Sequence, residues 1–298
     1  MTEVTTAITA EQREFWGQNG YLALERFCTD AEVEAIKDAY RKVWETCPPS
    51  IVVDNLVNGR RCRMSQLSDD EREVPFYKVN DLFLEFEEVR QVVLSQRVSS
   101  LLAELLDDAP VLCNTLNLLR SSQQDDHVDA IFMTPRTPHK LVATWMALED
   151  AHPDAGQLRY YPGSHLIPLF EFSNGTHHVD RSQMDEWASY YKGEVERRGL
   201  EAKLFSAKKG DLFIWHGDLM HGGSKVNDDQ RTRDSLVSHF YSLEDSRAQK
   251  LDLVPLNSGY WWRRDPQEVP GEGSRLRTAA KAVVPQSVKR VLRERLRR

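Results

Sequence analysis

His127 and Asp129 stand two residues apart in Gln124-Asp125-Asp126-His127-Val128-Asp129, and His221 closes Trp215-His216-Gly217-Asp218-Leu219-Met220-His221. Two imidazoles and one carboxylate on one face of an octahedron leave the opposite positions open, a ligand set that suits non-haem Fe(II) activating oxygen. Residues i and i+2 of a strand share a face. The spacing therefore predicts that His127 and Asp129 aim at one point from a strand and that His221, near the end of another, completes the set. A lone His-x-Asp is common by chance, and His216 is the alternative distal ligand. His139, His165 and His239 read as structural hydrogen-bonders, and His152, His177 and His178 as loop residues.

Those side chains need a frame. Thr9 with Gln12 and Thr29 with Glu32 are capping boxes. They predict helices over 9–19 and from Thr29 to Trp44, the latter stopped by Cys47-Pro48-Pro49. Tyr21–Leu24 reads as a strand, residues 50–80 as a polar irregular stretch with a basic cluster at Arg60, Arg61 and Arg63, and 81–106 as two helical patterns. Short strands are then expected over 111–119, 141–148, 157–161, 203–205, 211–215 and 235–241, separated by Gly, Pro and Asp/Asn turns. Such a succession points to a sandwich or barrel. The Trp/Tyr-rich segment 165–201 interrupts it as a helical insert, expected to be a lid or a wall of the pocket.

With 298 residues, 40% apolar and 29% charged, the chain has the composition of a soluble globular protein, with no run near the roughly 20 apolar residues of a membrane span. Met1-Thr2-Glu3-Val4-Thr5 lacks a basic and an apolar leader region, so no secretory signal is expected. Cys28, Cys47, Cys62 and Cys113 show neither Cys-x-x-Cys nor zinc spacing and read as thiols of a reducing compartment, which predicts the cytoplasm. From Ser274 onward nine Lys/Arg face one acid, so the tail carries +8 and the rest −15 of the net −7. An acidic body argues against nucleic-acid binding.

Gly210-Asp211-Leu212-Phe213-Ile214-Trp215-His216-Gly217-Asp218-Leu219-Met220-His221 and Gly156-Gln157-Leu158-Arg159-Tyr160-Tyr161-Pro162-Gly163-Ser164-His165 closely resemble the phytanoyl-CoA dioxygenase family of Fe(II)/2-oxoglutarate oxygenases. The opening Phe15–Leu24 and the stretch Thr232–Phe240 carry the likeness from about Gln12 to Tyr241. The resemblance implies a mainly β, double-stranded β-helix (jelly-roll, cupin-like) fold with flanking helices. It implies that His127, Asp129 and His221 ligate Fe(II), that 2-oxoglutarate and O2 are consumed, and that Arg233 binds the distal 2-oxoglutarate carboxylate, with Arg231 as the rival. A planar two-pronged cation suits that task. Trp145 matches a position beside the cosubstrate, and Ser224 is a weaker candidate contact. Related halogenases replace the carboxylate ligand by a small residue, so Asp129 implies hydroxylation, with desaturation or ring closure using the same residues.

Domain boundaries follow as one oxygenase domain over 1–273 and a basic tail over 274–298. In the tail Val288, Val291, Leu292 and Leu296 share a helical face. Such a helix either rests on anionic lipid at the inner face of the membrane, or docks on the acidic body, or is a frayed, solubilising terminus. The substrate is expected to be a small molecule, lipid-linked compound or glycan, met by residues of 50–80 and 165–205, with Arg63, Tyr160, Trp187 and Tyr190 as candidate contacts. The competing classes are a catalytically silent jelly-roll binding protein and a zinc hydrolase; the latter leaves Arg233 without a role. Oligomeric state is not assigned.

Overall fold

The computed structural model describes residues 8–73 and 76–271; the N-terminal stretch Met1–Thr5 and the basic tail lie outside the described residues. Helix α1 (Ala10–Asn19) closes its Thr9–Gln12 capping box and leads into strand β1 (Tyr21–Leu24). Helix α2 (Asp30–Thr46) closes the second box, Thr29 with Glu32, and buries Val33, Ile36, Ala39 and Val43 on one stripe. Each of the larger ones contributes about 1.5–3 kcal/mol by leaving water. Strands β2 (Val52–Asn55) and β3 (Arg61–Arg63), helix α3 (Asp69–Arg72) and strand β4 (Tyr77–Asn80) follow. Segment 50–80 is thus not the irregular stretch expected. Its apolar residues come in short runs masked by charge, yet Ile51, Val52, Val53, Tyr77 and Val79 are all buried.

The two helical patterns of 81–106 resolve into α4 (Leu82–Glu85), α5 (Glu87–Val93) and α6 (Gln96–Leu106), because Phe86 is extended between the first two. Then come β5 (Pro110–Leu118), β6 (Leu141–Ala147), β7 (Leu158–Tyr160), α7 (Met184–Arg198), β8 (Lys203–Phe205), β9 (Leu212–His216), β10 (His221–Gly223) and β11 (Ser235–Ser242). Helix α8 (Leu243–Ala248) and the hairpin β12 (Leu253–Leu256) and β13 (Gly259–Trp262) finish the described chain. The strands predicted at 21–24, 111–119, 141–148, 157–161, 203–205, 211–215 and 235–241 are present within a residue or two at their ends, but the strand expected to carry His127 and Asp129 is not formed, and the final hairpin is not foreshadowed in the sequence.

Eight strands lie in the order β1-β9-β6-β11-β5-β4-β2-β3, with β13 adding in parallel to β5, and β10-β7-β8 form a second, smaller sheet. This is the jelly-roll frame. Strand alternation divides the core. Val142 and Met146 of β6 and Leu212 and Ile214 of β9 face α2, α5 and α6 on the outer side. Ala143, Trp145, Phe213 and Trp215 face inward with Leu158 and Tyr160 of the small sheet. The consecutive strands β9 and β10 belong to different sheets, so the turn Gly217–Met220 carries the chain across and delivers His221. Among the described residues no helix is long and apolar enough to cross a membrane.

Candidate active site

His127 and His221 meet as an isolated antiparallel bridge, each backbone N–H donating to the other's carbonyl at 2.9 Å. Asp129 is not on a strand as expected; it opens a 3-10 turn (Asp129–Ile131), and Ala130 N–H donates to Gly217 O at 3.0 Å. The bridge and the turn, rather than strand alternation, bring the three side chains together. One ligand atom from each lies within 4.8 Å of the others, and all three residues are buried.

Both imidazoles are oriented from behind. His127 Nδ1 donates to Asp125 O at 2.8 Å and His221 Nδ1 to Leu219 O at 2.9 Å. Each proton is thereby held on Nδ1, which turns the Nε2 lone pairs toward Asp129, at 3.5 Å from Oδ1 and 3.7 Å from Oδ2 respectively. Trp215 Nε1 donates to Asp129 Oδ2 at 2.8 Å. Burial opposes charge on Asp129, but His221 and His239 beside it hold its carboxyl well below the usual range. Burial pushes His221 down to about 4. Ionised Asp129 and neutral His221 are the forms that bind a metal.

Neighbouring turns hold the bridge. Asp126 accepts from Arg159 (2.7 and 2.9 Å) and from the Tyr161 hydroxyl (2.8 Å), pinning the strand-like entry to His127 onto β7. Strand β10 approaches that segment so closely that a Cβ on Gly222 would stand 2.7 Å from Asp126 Oδ1 and 2.9 Å from Gln124 O. In the Pro162-Gly163-Ser164-His165 turn, Ser164 Oγ accepts from Met220 N–H at 2.8 Å, immediately before His221. The insert adds α7 and its own apolar cluster, in which Trp187, Tyr191 and Phe172 pack on Val128, Ile131 and Met220. It buttresses the ligand-bearing turns.

Between the two sheets lies a cavity of about 770 Å³ that His127, Asp129 and His221 line together with Trp145, Arg233 and His239. Arg233 is 4% exposed, and its guanidinium gives one hydrogen bond, to Gly156 O at 2.6 Å, while Nε has no partner. No carboxylate among the described residues pairs with it, and burial lowers its pKa to about 10. Gly156 reaches under it with φ +78°, where a Cβ would stand 2.7 Å from Ser224 O, so only glycine fits that approach. Trp145 faces the guanidinium at 5.6 Å and its Nε1 is likewise buried without a partner; Ser224 Oγ is also buried without a partner, but Ser224 does not line the cavity. A buried cation beside unsatisfied donors fits a dianionic cosubstrate with a carboxylate to spare.

The other expectations divide. Arg231 pairs with Asp228 in an exposed turn, away from the cavity. His216 does not join the triad: its Nδ1 accepts from Asp218 N–H at 3.1 Å, and it groups instead with His139 and Asp218, which pair at 2.7 Å. The four candidate substrate contacts do not line the cavity. Tyr160 is buried against Tyr21 and Phe213; Trp187 is in the insert's core; the Tyr190 hydroxyl donates to Pro168 O at 2.8 Å. The Arg63 backbone N–H donates to Gln66 Oε1 at 3.1 Å and the residue does not line the cavity, whereas Arg61, Lys78, Arg181 and Arg264 do. Of the insert, Arg181 alone among the described residues reaches it, so the insert is not a lid. His239, expected to be a structural hydrogen-bonder, is one: Nδ1 donates to Asn114 Oδ1 at 3.1 Å, and Nε2 stands 3.3 Å from Asp129 Oδ2.

Facing antiparallel sheets with two imidazoles and a carboxylate converging between them define the class of non-haem iron jelly-roll oxygenases. The profile of the family Phytanoyl-CoA dioxygenase (PhyH) matches residues 16–234, and the chain belongs to that family. It is accordingly an Fe(II)/2-oxoglutarate-dependent dioxygenase. Peroxisomal phytanoyl-CoA dioxygenase of Mus musculus is 23% identical over 257 residues, covering 83% of this chain and 71% of that protein. Phytanoyl-CoA dioxygenase 1 of Oryza sativa subsp. japonica is 24% identical over 241 residues, covering 72% and 83%. The fold is shared with the non-heme alpha ketoglutarate dependent carbocyclase SnoK from nogalamycin biosynthesis, with TM-score 0.58, 20% identity and 88% and 94% coverage. It is shared too with EctD from S. alaskensis with 2-oxoglutarate and 5-hydroxyectoine, with TM-score 0.56, 15% identity and 90% and 88% coverage.

Proposed function

We propose that His127, Asp129 and His221 ligate Fe(II), that Arg233 binds the distal carboxylate of 2-oxoglutarate with Trp145 and Ser224 beside it, and that the reaction is hydroxylation of an unactivated C–H bond. The observation that carries this reading is Arg233, a buried cation with no carboxylate partner among the described residues, lining the same cavity as the three converging side chains. Iron with 2-oxoglutarate supplies oxygen activation when bound: C–H, O2 and 2-oxoglutarate give C–OH, succinate and CO2. The chain's own part is to fix both imidazoles through Asp125 O and Leu219 O, to orient Asp129 through Trp215, and to wall the reacting space with Trp145, Trp215, Leu158 and Val237 against water.

The substrate is a small molecule, with lipid-linked compounds and glycans inside the same reading. We place the protein in the cytoplasm as one oxygenase domain over 1–273. For the tail 274–298, outside the described residues, docking on the acidic body is the reading and anionic lipid the competitor. Liposome co-sedimentation of the full chain against a truncation at Gly273 separates them; equal recovery in the soluble fraction removes the membrane reading. The function itself is tested by a succinate-release screen across metabolite pools. Succinate formed only with Fe(II) and 2-oxoglutarate is expected. If the protein binds both yet no pool yields succinate above the chelator control, a silent binding protein is the better description.

A further inference from the structure

The cavity's outer wall is built for charge. Arg61, Lys78, Asn80, Asn114, Arg264 and Gln267 line it, and two carboxylates that do not line it hold them in place. Asp54 accepts from Arg61 Nη1 (3.0 and 3.2 Å) and from Asn80 Nδ2 (3.0 Å), and pairs with Lys78 Nζ at 3.3 Å. Asp81 accepts from Arg264 Nη2 (2.8 Å), Gln267 Nε2 (2.7 Å) and Asn114 Nδ2 (2.9 Å). An Arg61–Gln267 hydrogen bond joins the two groups. Three cations are thus set by two carboxylates behind them, leaving an excess of one positive charge facing the cavity. Asp129, the candidate iron ligand, is the only carboxylate lining it among the described residues. This cationic wall belongs to a chain whose first 273 residues carry −15.

We infer that this wall is an anion subsite and that the substrate carries a carboxylate or phosphate group, which it seats on Arg61, Lys78 and Arg264. The inference deepens the hydroxylase reading and rests on it. Cations already oriented by carboxylates, buried Asp81 and half-buried Asp54, lose little side-chain freedom on binding, which favours a charge-assisted contact over a solvated one. Trp262 and Leu116 beside them offer apolar surface to the carbon skeleton. Strand β5 supplies Asn114 to this wall, and Asn114 in turn holds His239 against Asp129. Arg264 also donates to Cys113 O on β5 at 3.0 Å, next to Asn114, so an anion seated at Arg264 lies beside the strand whose Asn114 holds His239 of β11 near Asp129.

The test uses the full chain loaded with Fe(II) and 2-oxoglutarate without oxygen, titrated with benzoate, phenyl phosphate and benzamide. One or both anions are expected to bind about tenfold or more tighter than the neutral amide; which of the two binds better distinguishes carboxylate from phosphate. Lys78→Met, which keeps the stem, and Arg61→Gln should each bring the preference within about threefold, while 2-oxoglutarate affinity stays at the wild-type value. Benzamide matching both anions, a preference that survives both substitutions, or no anion binding below about 10 mM, where even weak pairing should register, overturns the subsite. If the iron–2-oxoglutarate absorption fails to form while the anion preference persists, the iron reading falls and the subsite stands.

Discussion

Replacing Arg233 by Met should act in opposite directions on stability and on cosubstrate binding. The guanidinium is 4% exposed, makes one hydrogen bond and faces no carboxylate among the described residues. Burial carries its pKa from 12.5 to about 10, equivalent to about 3 kcal/mol against the charged form. Arg233→Met keeps the stem and removes that charge. Without 2-oxoglutarate the variant should therefore be as stable as wild type or more stable, by up to about 3 kcal/mol, which is roughly 2–6 °C in Tm for a chain of this size. With 2-oxoglutarate the comparison inverts. Removing one partner of a buried charge pair costs about 3–5 kcal/mol, so the 2-oxoglutarate Kd should rise about 100-fold to 1000-fold or more. Arg233→Lys should fall between, since lysine keeps the charge and loses the two-pronged fork. Thermal unfolding with and without 2-oxoglutarate, and anaerobic titration of the Fe(II)-loaded protein, read both effects. A variant that binds 2-oxoglutarate within threefold of wild type, or that melts lower in its absence, refutes the assignment.

Three further outcomes follow from the geometry. Asp234, buried beside Glu149, has its carboxyl pushed up to about 7 from 3.8, so its folded-state pKa lies above the unfolded one. The folded state then pays nothing below pH 4 and up to about 4 kcal/mol above pH 7. Stability is lost as pH rises through that window, and Asp234→Asn should raise Tm more at pH 8 than at pH 4.5; an equal gain at both pH values would sink the linkage. Gly222→Ala should drive a Cβ into Asp126 and Gln124 at under 3 Å, and is expected to weaken Fe(II) binding at least tenfold with the far-UV spectrum unchanged; unaltered affinity would show that the bridge tolerates displacement. Trp187→Ala should destabilise by about 3–5 kcal/mol as a large core deletion, yet leave 2-oxoglutarate affinity within a few fold. A selective loss of substrate binding at full stability would restore Trp187 to the pocket.

The frame was legible because it is written in local signals. Capping boxes at Thr9 and Thr29 mark their helices, and the turn residues of Gly217–Met220 mark where the chain crosses from the large sheet to the small one. His127 and His221 were readable as partners, but the bridge that joins them is a long-range pairing across 94 positions, and Asp129's turn left no periodic trace. Substrate contacts were not legible for a different reason. A buried aromatic in the insert and an aromatic in a pocket look alike in sequence, so Tyr160, Trp187 and Tyr190 were assigned by composition and belong to cores. Nothing local separates Arg63 from Arg61; Asp54, across the strand pair, holds Arg61, which lines the cavity. The hairpin that brings Trp262, Arg264 and Gln267 to the cavity was hidden by Pro255, which argues against a strand.

The central claim is that His127, Asp129 and His221 hold Fe(II) in a form that 2-oxoglutarate can chelate. Its most direct test is anaerobic titration of the metal-free protein with Fe(II) and then 2-oxoglutarate, followed by visible absorption. Wild type should develop the weak charge-transfer band of the ternary complex at one iron and one 2-oxoglutarate per chain, and Asp129→Ala and His221→Ala should not at the same concentrations. A wild-type protein that saturates with neither, or a band of full intensity in both variants, contradicts the account.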